Sequence, residues 1–201
     1  MYMIKNKQVL LEQIKADIIK NNVCPNLAHQ AKNLVMGDGN VNADIVIIGE
    51  APGKKEDLSG LPFMGAAGKF LNEMLASVGI ERSDVFITNI VKYRPPDNRD
   101  PSTDEKAAFW PYLLRQLDVI HPKVVVTLGR HSMGYFLPEK LISEVHGQPS
   151  QVKFNDLELT VVPLYHPAAA LYRRSMRELL MDDFKKLLKI INNKKVNKEN
   201  K

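Results

Sequence analysis

The chain contains almost no cysteine and no long apolar run. Cys24 is the one cysteine in 201 residues, so an intrachain disulfide framework is excluded. No apolar run approaches the length of about 20 residues that a membrane-spanning helix requires. The first residues, MYMIKNK, lack the basic-then-apolar pattern of a signal peptide. These absences predict a cytoplasmic protein without a membrane-bound segment.

A net positive charge is absent outside the carboxyl-terminal end. The formal net charge is +5, yet residues 184–201 alone carry seven lysines and one glutamate, which leaves a net charge of −1 on the rest. A short lysine-rich end is typical of a solvated, disordered segment, and it also attracts nucleic acid weakly at low salt. We therefore expect a single domain over residues 1–191 and a basic, disordered tail over residues 192–201.

Hydrophobic periodicity predicts strands that alternate with helices. The predicted strands are residues 44–49, 85–90, 123–128 and 159–164. The predicted helices are residues 7–20, 67–78, 176–191 and one from residue 103 that Pro111 kinks or divides, while residues 51–66 form a glycine-rich loop. Ser-x-x-Glu capping boxes at Ser102 and Ser175 open two of these helices. This order indicates an α/β fold, a three-layer αβα sandwich around a mostly parallel four-stranded sheet.

Two strand ends carry ionisable residues that this fold brings together. The sequence GEAPG at residues 49–53 ends the first strand, and HPAAAL at residues 166–171 follows the last one. The carboxyl ends of parallel strands meet at one edge of a sheet, where open α/β proteins place their sites. We therefore expect Glu50 and His166 to share one cleft.

Several motifs, taken in order, resemble family 4 of the uracil-DNA glycosylase superfamily. They are GEAPG at 49–53, Glu56-Asp57, GLPFMG at 60–65, ITNIVK at 87–92, RPPDNR at 94–99, TLGR at 127–130 and His166-Pro167. The resemblance implies a monofunctional base excision repair hydrolase that removes uracil from DNA and leaves an abasic site. The base must first leave the helical stack and enter a pocket. The implied partner is uracil-containing DNA, single- or double-stranded, and the implied enzyme is a monomer.

Three residues match the family positions that bind the flipped base. Phe63 matches the aromatic residue that stacks on uracil, a contact worth about 1–3 kcal/mol. Asn89 matches the residue that reads the uracil edge, because the oxygen of a carboxamide accepts a hydrogen bond from N3–H and its nitrogen donates one to O4. Cytosine reverses this pattern and is rejected. His166 matches the histidine beside uracil O2, where a donor stabilises the negative charge that develops as the glycosidic bond breaks.

Three further residues complete the predicted pocket. Glu50 matches a residue near the base, and the backbone amides around Ala51 are expected to contact the base as well. Ala51 stands where the best-known family of the superfamily has a water-activating Asp. The water is then held by backbone groups, by Glu50 or by Glu56, and Glu56 equally suits a wall that excludes the C5 methyl of thymine. The catalytic candidates are therefore His166, Glu56 and Glu50.

The resemblance also implies contacts to the DNA backbone and one inserted side chain. Small residues let main-chain amides approach phosphates without reading sequence. Leu171, in the loop after His166, is the expected wedge that fills the space vacated by the base. The other DNA-binding candidates are Pro52, Gly53, Lys54, Gly65, Gly68, Arg173 and Arg174.

The chain departs from the family pattern at a metal cluster. Family 4 members typically hold a four-iron four-sulfur cluster on four cysteines, and the matching positions here are Asn21, Cys24, Tyr93 and Phe109. One thiolate does not hold such a cluster. We therefore predict no iron–sulfur cluster and no other metal or cofactor. Tyr93 and Phe109 are large enough to fill the space and to hold a loop and a helix together through burial.

Two other functions are compatible with the same fold. One is a non-catalytic binder of uracil-containing or damaged DNA, which the presence of Glu50, Phe63, Asn89 and His166 argues against. The other is a glycosylase for a different deaminated base, such as hypoxanthine or xanthine. Some relatives trap the abasic sugar covalently through a histidine-containing insert, but residues 92–103 are short and lack histidine.

Overall fold

The computed structural model describes residues 2–154 and 156–199, with side chains over 7–154 and 156–191. The strands are β1 (Asp38–Gly39), β2 (Ile45–Gly49), β3 (Phe86–Asn89), β4 (Val124–Leu128), β5 (Ser150–Phe154) and β6 (Leu157–Leu164). The α-helices are α1 (Tyr2–Lys20), α2 (Pro25–Ala28), α3 (Lys54–Ser59), α4 (Ala66–Ser77), α5 (Thr103–Ile120), α6 (Arg130–Met133), α7 (Ile142–Val145) and α8 (Arg174–Glu199). Short 3₁₀ segments are Arg82–Asp84, Pro96–Asn98 and Pro167–Ala170.

A mixed sheet forms the centre of the molecule. Its strand order is β1-β3-β2-β4-β6-β5. The neighbours β3, β2, β4 and β6 run parallel, and β1 and β5 pair antiparallel at the two edges. The α/β prediction is confirmed, but the described sheet has six strands and not four. The edge strands escaped prediction because β1 has two residues and β5 has only two apolar side chains, Val152 and Phe154, both half-buried.

Alternating side chains of the sheet build a hydrophobic core on each face. In β2, Val46 and Ile48 point to one core, which α1 and α5 cover with residues such as Ile14 and Phe109. Ile45 and Ile47 point to the other core, which α4 and α8 cover. This is the period of two expected of an extended strand, and both faces are apolar because both are covered. The helices thereby leave the carboxyl ends of the parallel strands as the open edge of the sheet.

The helices differ from the predicted ones in α3, in α5 at Pro111 and at both ends of α8. α5 continues through Pro111 as one helix, because Ala107 and Pro111 are both exposed and water can solvate the carbonyl that proline leaves without a donor. α8 already includes Ser175, since Arg177 N–H bonds to the carbonyl of Arg173, so the second predicted capping box is wrong. α8 extends to Glu199, through residues 192–199 of the predicted tail. α3 lies inside the predicted loop 51–66.

The capping box at Ser102 is confirmed, with the side chain of Ser102 accepting from the Glu105 N–H at 3.1 Å.

Over the described residues, no helix is both long enough and apolar enough to cross a membrane.

Candidate active site

The ends of β2 and β3 bring two predicted residues together at Gly49. Gly49 pairs with Asn89 in the parallel register of the two strands. A methyl group added at Gly49 would overlap Asn89 Oδ1 and would lie 2.8 Å from Phe63 Cζ. Gly49 therefore lacks a side chain because the amide of Asn89 and the ring of Phe63 occupy the space. The ring of Phe63 in turn lies 5.9 Å from the ring of His166, at an interplanar angle of 31°.

Phe63 is held in an unusual backbone conformation. Its φ is +53°, in the left-handed region that a bulky residue rarely adopts. Gly68 of α4 packs directly on the Phe63 carbonyl, where any side chain at Gly68 would overlap it. Arg82 Nη2 donates to the carbonyl of Pro62 at 2.7 Å. The loop before α4 is therefore fixed on both sides of Phe63, and its strain is maintained by packing.

Glu56 secures the other end of the same loop. Its Oε1 accepts from the backbone N–H of Met64 at 2.7 Å and of Gly65 at 2.8 Å. Gly65 is the residue before α4, so the carboxylate satisfies amides at the start of that helix. One oxygen of Glu56 is thereby committed to the conformation of residues 63–65.

His166 is neutral and its tautomer is defined. Its Nδ1 accepts from the backbone N–H of Ala168 at 3.2 Å. Burial lowers the pKa of His166 to about 4, against a smaller opposing effect from the charge of Glu56. A neutral ring whose Nδ1 accepts carries its proton on Nε2. Gly129, with a φ of +94°, lies behind the ring, and a side chain there would be 3.2 Å from His166 Cβ.

Glu50 has the opposite character to Glu56. Its Oε1 is buried and has no hydrogen-bond partner among the described residues. Burial, and then the charge of Asp100, raise the pKa of Glu50 to about 7, while Lys106 and Arg130 act in the other direction. The Glu50 carboxyl is therefore half-buried, has one oxygen without a hydrogen bond, and is close to its midpoint of ionisation at neutral pH.

His131 lies beside Glu50, and sequence reasoning missed it. Its Nδ1 is 3.7 Å from Glu50 Oε1, and its Nε2 is 3.2 Å from Asp100 Oδ2. The sequence offered one indication of this position: His131 directly follows the TLGR motif at the end of β4, and β4 ends at the same edge of the sheet as the strand before Glu50. The three side chains bring potential metal-ligand atoms within 4.8 Å of one another. Such clusters are common without an ion, and we assign no metal to this one.

A cavity of about 150 Å³ opens between the turn after β2 and residues 95–101. Glu50 and His166 both contribute to its wall, as a shared cleft requires. Phe63 and Asn89 are 7% and 2% exposed and are not among its lining residues. The full lining is Glu50, Ala51, Pro52, Gly53, Pro95, Asn98, Arg99, Asp100, Pro101 and His166.

The predicted DNA-binding residues fall into two groups. Lys54, Arg173 and Arg174 are exposed, and Gly53 and Gly65 directly precede α3 and α4. The others are less available: Pro52 and Gly68 are buried and Leu171 is half-buried. Next to Leu171, the side chain of Tyr172 is 93% exposed. The loop after His166 therefore presents an aromatic ring and two guanidinium groups to solvent.

Two of the four positions that match the cluster cysteines of the family form a packed aromatic contact. The rings of Tyr93 and Phe109 meet edge to face, 5.9 Å apart. Cys24 Sγ lies 3.8 Å from the carbonyl of Glu105, and burial raises the pKa of the Cys24 thiol to about 11. Asn21 Nδ2 donates to the hydroxyl of Tyr112 at 2.9 Å. The donor set at these positions has one thiol, which burial keeps protonated, and it does not fit an iron–sulfur cluster.

Glu105 joins three segments around this contact. Its two carboxylate oxygens accept from Arg99 Nη1 at 2.8 Å and Nη2 at 2.7 Å, in a bidentate pair. They also accept from Asn26 Nδ2 at 2.9 Å and from the backbone N–H of Ser102 at 2.8 Å. The Arg99 guanidinium is the main reason that the pKa of Glu105 falls to about 2. This carboxylate therefore ties α2, the pocket-lining residues 95–101 and α5 together.

Fold and site together define an α/β protein in which Asn89, Phe63 and His166 lie close together at the carboxyl ends of parallel strands, with His166 also in the wall of a cavity. The sequence profile of the Uracil DNA glycosylase superfamily matches residues 36–192. The chain therefore belongs to the uracil-DNA glycosylase superfamily.

Its relatives include several named type-4 uracil-DNA glycosylases. The protein from Sulfurisphaera tokodaii is 48% identical over 88% of this chain and 83% of its own length. The one from Archaeoglobus fulgidus is 46% identical over 88% of this chain and 91% of its own length. The one from Thermotoga maritima is 39% identical over 90% of this chain and 94% of its own length.

Proposed function

We propose that this protein is a uracil-DNA glycosylase, which hydrolyses the N-glycosidic bond of uracil in DNA and leaves an abasic site. The observation that carries the proposal is the convergence of Asn89 and Phe63 at Gly49, with His166 beside Phe63, in a chain of this superfamily. Each of these groups has a separate task in recognising or releasing the base.

Asn89 and Phe63 recognise the flipped base. Oδ1 of Asn89 accepts a hydrogen bond from uracil N3–H and Nδ2 donates one to O4, while the ring of Phe63 stacks on the base. Asn89 is 2% exposed, so a cytosine at this position would leave polar groups unpaired in a buried environment. Such mispairing is disfavoured far more strongly than a change in size, and this gives uracil its advantage.

His166 stabilises the leaving group. As the glycosidic bond breaks, negative charge develops on uracil O2 and the sugar acquires oxocarbenium character. The neutral ring of His166 accepts at Nδ1 from Ala168 and so presents Nε2–H as a donor. A donor held in place before reaction stabilises the charge without reorganisation.

Glu50 is the better candidate to position the attacking water. Oε1 of Glu56 is committed to the amides of Met64 and Gly65, which favours a loop-holding role for Glu56. Glu50 Oε1 has no hydrogen-bond partner among the described groups and belongs to a side chain in the cavity wall. A carboxyl with a pKa of about 7 suits a general base at neutral pH.

The DNA backbone lies against the exposed basic and amide groups near the pocket. Lys54, Arg173 and Arg174 contribute charge, and Gly53 lies in the cavity wall. The amide of Gly65 already donates to Glu56, which favours a loop-holding role for Gly65 over contact with phosphate. The burial of Gly68 against the Phe63 carbonyl favours support of Phe63 over contact with phosphate. Leu171 remains the predicted wedge. The monomeric state and the cytoplasmic location also remain predictions.

The enzyme works without an iron–sulfur cluster. The contact between Tyr93 and Phe109 and the hydrogen bonds of Glu105 supply the cohesion of this region. Iron and sulfide analysis of protein purified without oxygen is expected to find far less than one cluster per chain. Four irons per chain would contradict this part of the proposal.

The decisive experiment is an excision assay on a labelled duplex with a single uracil, followed by alkaline cleavage of abasic sites. The wild-type protein is expected to release uracil, so that alkali cuts the strand. His166→Ala is expected to lower the excision rate about 10²–10³-fold, which is the effect of removing one preorganised hydrogen-bond donor. Asn89→Ala is expected to lose a comparable amount. His29→Ala and Asn42→Ala, at exposed positions, are matched controls that should retain full activity.

Two results would contradict the proposal. If the wild-type protein binds the uracil duplex without releasing the base, it is a binding protein. If it releases only hypoxanthine or xanthine, it is a glycosylase for another base.

A further inference from the structure

A lysine is completely buried directly behind Asn89. Lys92 is 0% exposed and is among the largest fully buried side chains of the protein. Its Nζ donates to the backbone carbonyl of Asn89 at 2.6 Å and to Thr88 Oγ1 at 2.7 Å. Burying an amine is unfavourable unless its hydrogen bonds are satisfied. A methionine would fill a similar volume without the unfavourable burial of an amine. The presence of a lysine therefore calls for a functional explanation.

The two acceptors of Lys92 are neutral oxygens. Burial alone lowers the pKa of Lys92 well below its usual range, because a buried amine loses the solvation of its charged form. Two N–H groups of the amine donate to these two oxygens. Thr88 Oγ1 donates onward to the carbonyl of Met36 at 2.8 Å, which fixes the direction of its own lone pairs. The amine is therefore held in place by two short hydrogen bonds.

These bonds act on the peptide that carries the base-reading residue. On one side, the N–H of Ile90 donates to the carbonyl of Gly49 at 3.0 Å. On the other side, the carbonyl of Asn89 accepts from Lys92. The peptide between Asn89 and Ile90 is thereby fixed at both its N–H and its C=O. This sets the direction of the Asn89 side chain toward the space beside Phe63.

We propose that Lys92 is a positioning residue, which fixes Asn89 in the orientation that recognises the base. The proposal rests on the proposed uracil excision. Lys92 itself touches neither DNA nor base, because it is completely buried. Its effect therefore passes through Asn89, and it should disappear when the Asn89 carboxamide is absent.

The test is a double-mutant cycle on excision. Lys92→Met removes both donors and keeps the apolar stem. Rates are measured in single turnover at saturating enzyme, at a temperature where circular dichroism shows every variant folded. Lys92→Met is expected to lower the rate about 10–100-fold in the wild-type background and less than about 3-fold in the Asn89→Ala background, since coupled residues are non-additive. The affinity for a uracil-free duplex should not change.

The matched control is Gln116→Met. Gln116 is also buried, and its Nε2 donates to the same carbonyl of Met36 at 2.9 Å, but it has no bond to Asn89. It is expected to alter stability without altering the excision rate in either background. If Lys92→Met does not fold, Thr88→Val replaces it; loss of one anchor of the amine should lower the rate about 3-fold, again only when Asn89 is present.

The outcomes separate this proposal from the proposed function. An inactive wild type would refute uracil excision itself. An active wild type with equal losses from Lys92→Met in both backgrounds would show a merely structural role and overturn the proposal. An unchanged rate in the Lys92→Met variant would overturn it too. Borohydride trapping of a covalent adduct that requires Lys92 would show an amine nucleophile instead.

Discussion

Glu50 and Glu105 are two carboxylates of one protein in opposite environments. Glu50 lies in the cavity wall, with one buried oxygen that accepts no hydrogen bond from the described residues and a pKa raised to about 7. Glu105 accepts bonds from Arg99, Asn26 and Ser102, and its pKa falls to about 2. The first carboxyl destabilises the folded chain as pH rises, and the second stabilises it. The difference indicates that residues beside the pocket, such as Glu105, stabilise the fold. Within the pocket, Glu50 keeps an oxygen free of hydrogen bonds, which leaves it available to substrate or water.

The sharpest way to break this comparison is to neutralise Glu50. Glu50→Gln is expected to lower the single-turnover excision rate about 10²–10⁴-fold, the range for loss of a general base. The variant should be no less stable than wild type above pH 7, because burial makes the charged form of Glu50 unfavourable. Thermal melts and the excision assay measure both effects. Glu12→Gln, at an exposed position of α1, is the matched control.

The pH dependence sharpens the same prediction. The charged form of Glu50 accepts a proton from water, so the wild-type rate should rise with pH through about 7 and then level off. The pKa of His166 is about 4, so its ring is neutral above pH 5. His166 therefore adds no second change of the rate with pH above pH 5. Glu50→Gln should abolish the rise. A rise that persists in this variant would assign it to another group.

A large loss of stability is expected on the other side of the comparison. Phe109 is 0% exposed and packs against Tyr93. Phe109→Ala should lower the free energy of unfolding by about 3–5 kcal/mol through lost burial and the cavity left behind. Urea unfolding measures this change, while the folded fraction should still excise uracil at low temperature. A loss below about 1 kcal/mol would show that the aromatic contact does not hold this region together.

Neutralising Glu105 should have a smaller effect on stability. Glu105→Gln keeps the shape but loses charge-assisted bonds, and we expect a loss of about 2 kcal/mol at neutral pH. The folded pKa of about 2 lies below the ordinary value of 4.5, so the stabilisation is complete above about pH 4.5 and disappears as pH falls toward 2. Urea unfolding from pH 7 to pH 3 should show the two proteins converging. A constant difference across this range would contradict the ionic origin.

The sequence predicted the local features of both regions, but it did not predict the contacts between residues that are far apart in the chain. The central strands and the Ser102 capping box are readable because periodicity and capping depend on neighbours in sequence. The capping box already named Glu105, but its bonds to Asn26 and Arg99 depend on tertiary folding. The positions of His131 near Glu50 and of Lys92 behind Asn89 are equally non-local. Short strands such as β1 carry too few residues to produce a pattern.

The smallest expected effect concerns the exposed loop after His166. Arg173 is exposed, so Arg173→Ala should leave stability within about 0.5 kcal/mol of wild type. If Arg173 contacts a phosphate, the variant should bind every duplex a few-fold more weakly and reduce the slope of log affinity against log salt by about 1. Fluorescence anisotropy across a salt series measures both quantities. Lys153→Ala, at an exposed position of the edge strand β5, is the matched control and should leave the slope unchanged. An equal change in slope from both variants would mean that charge acts at long range and that the loop makes no specific phosphate contact.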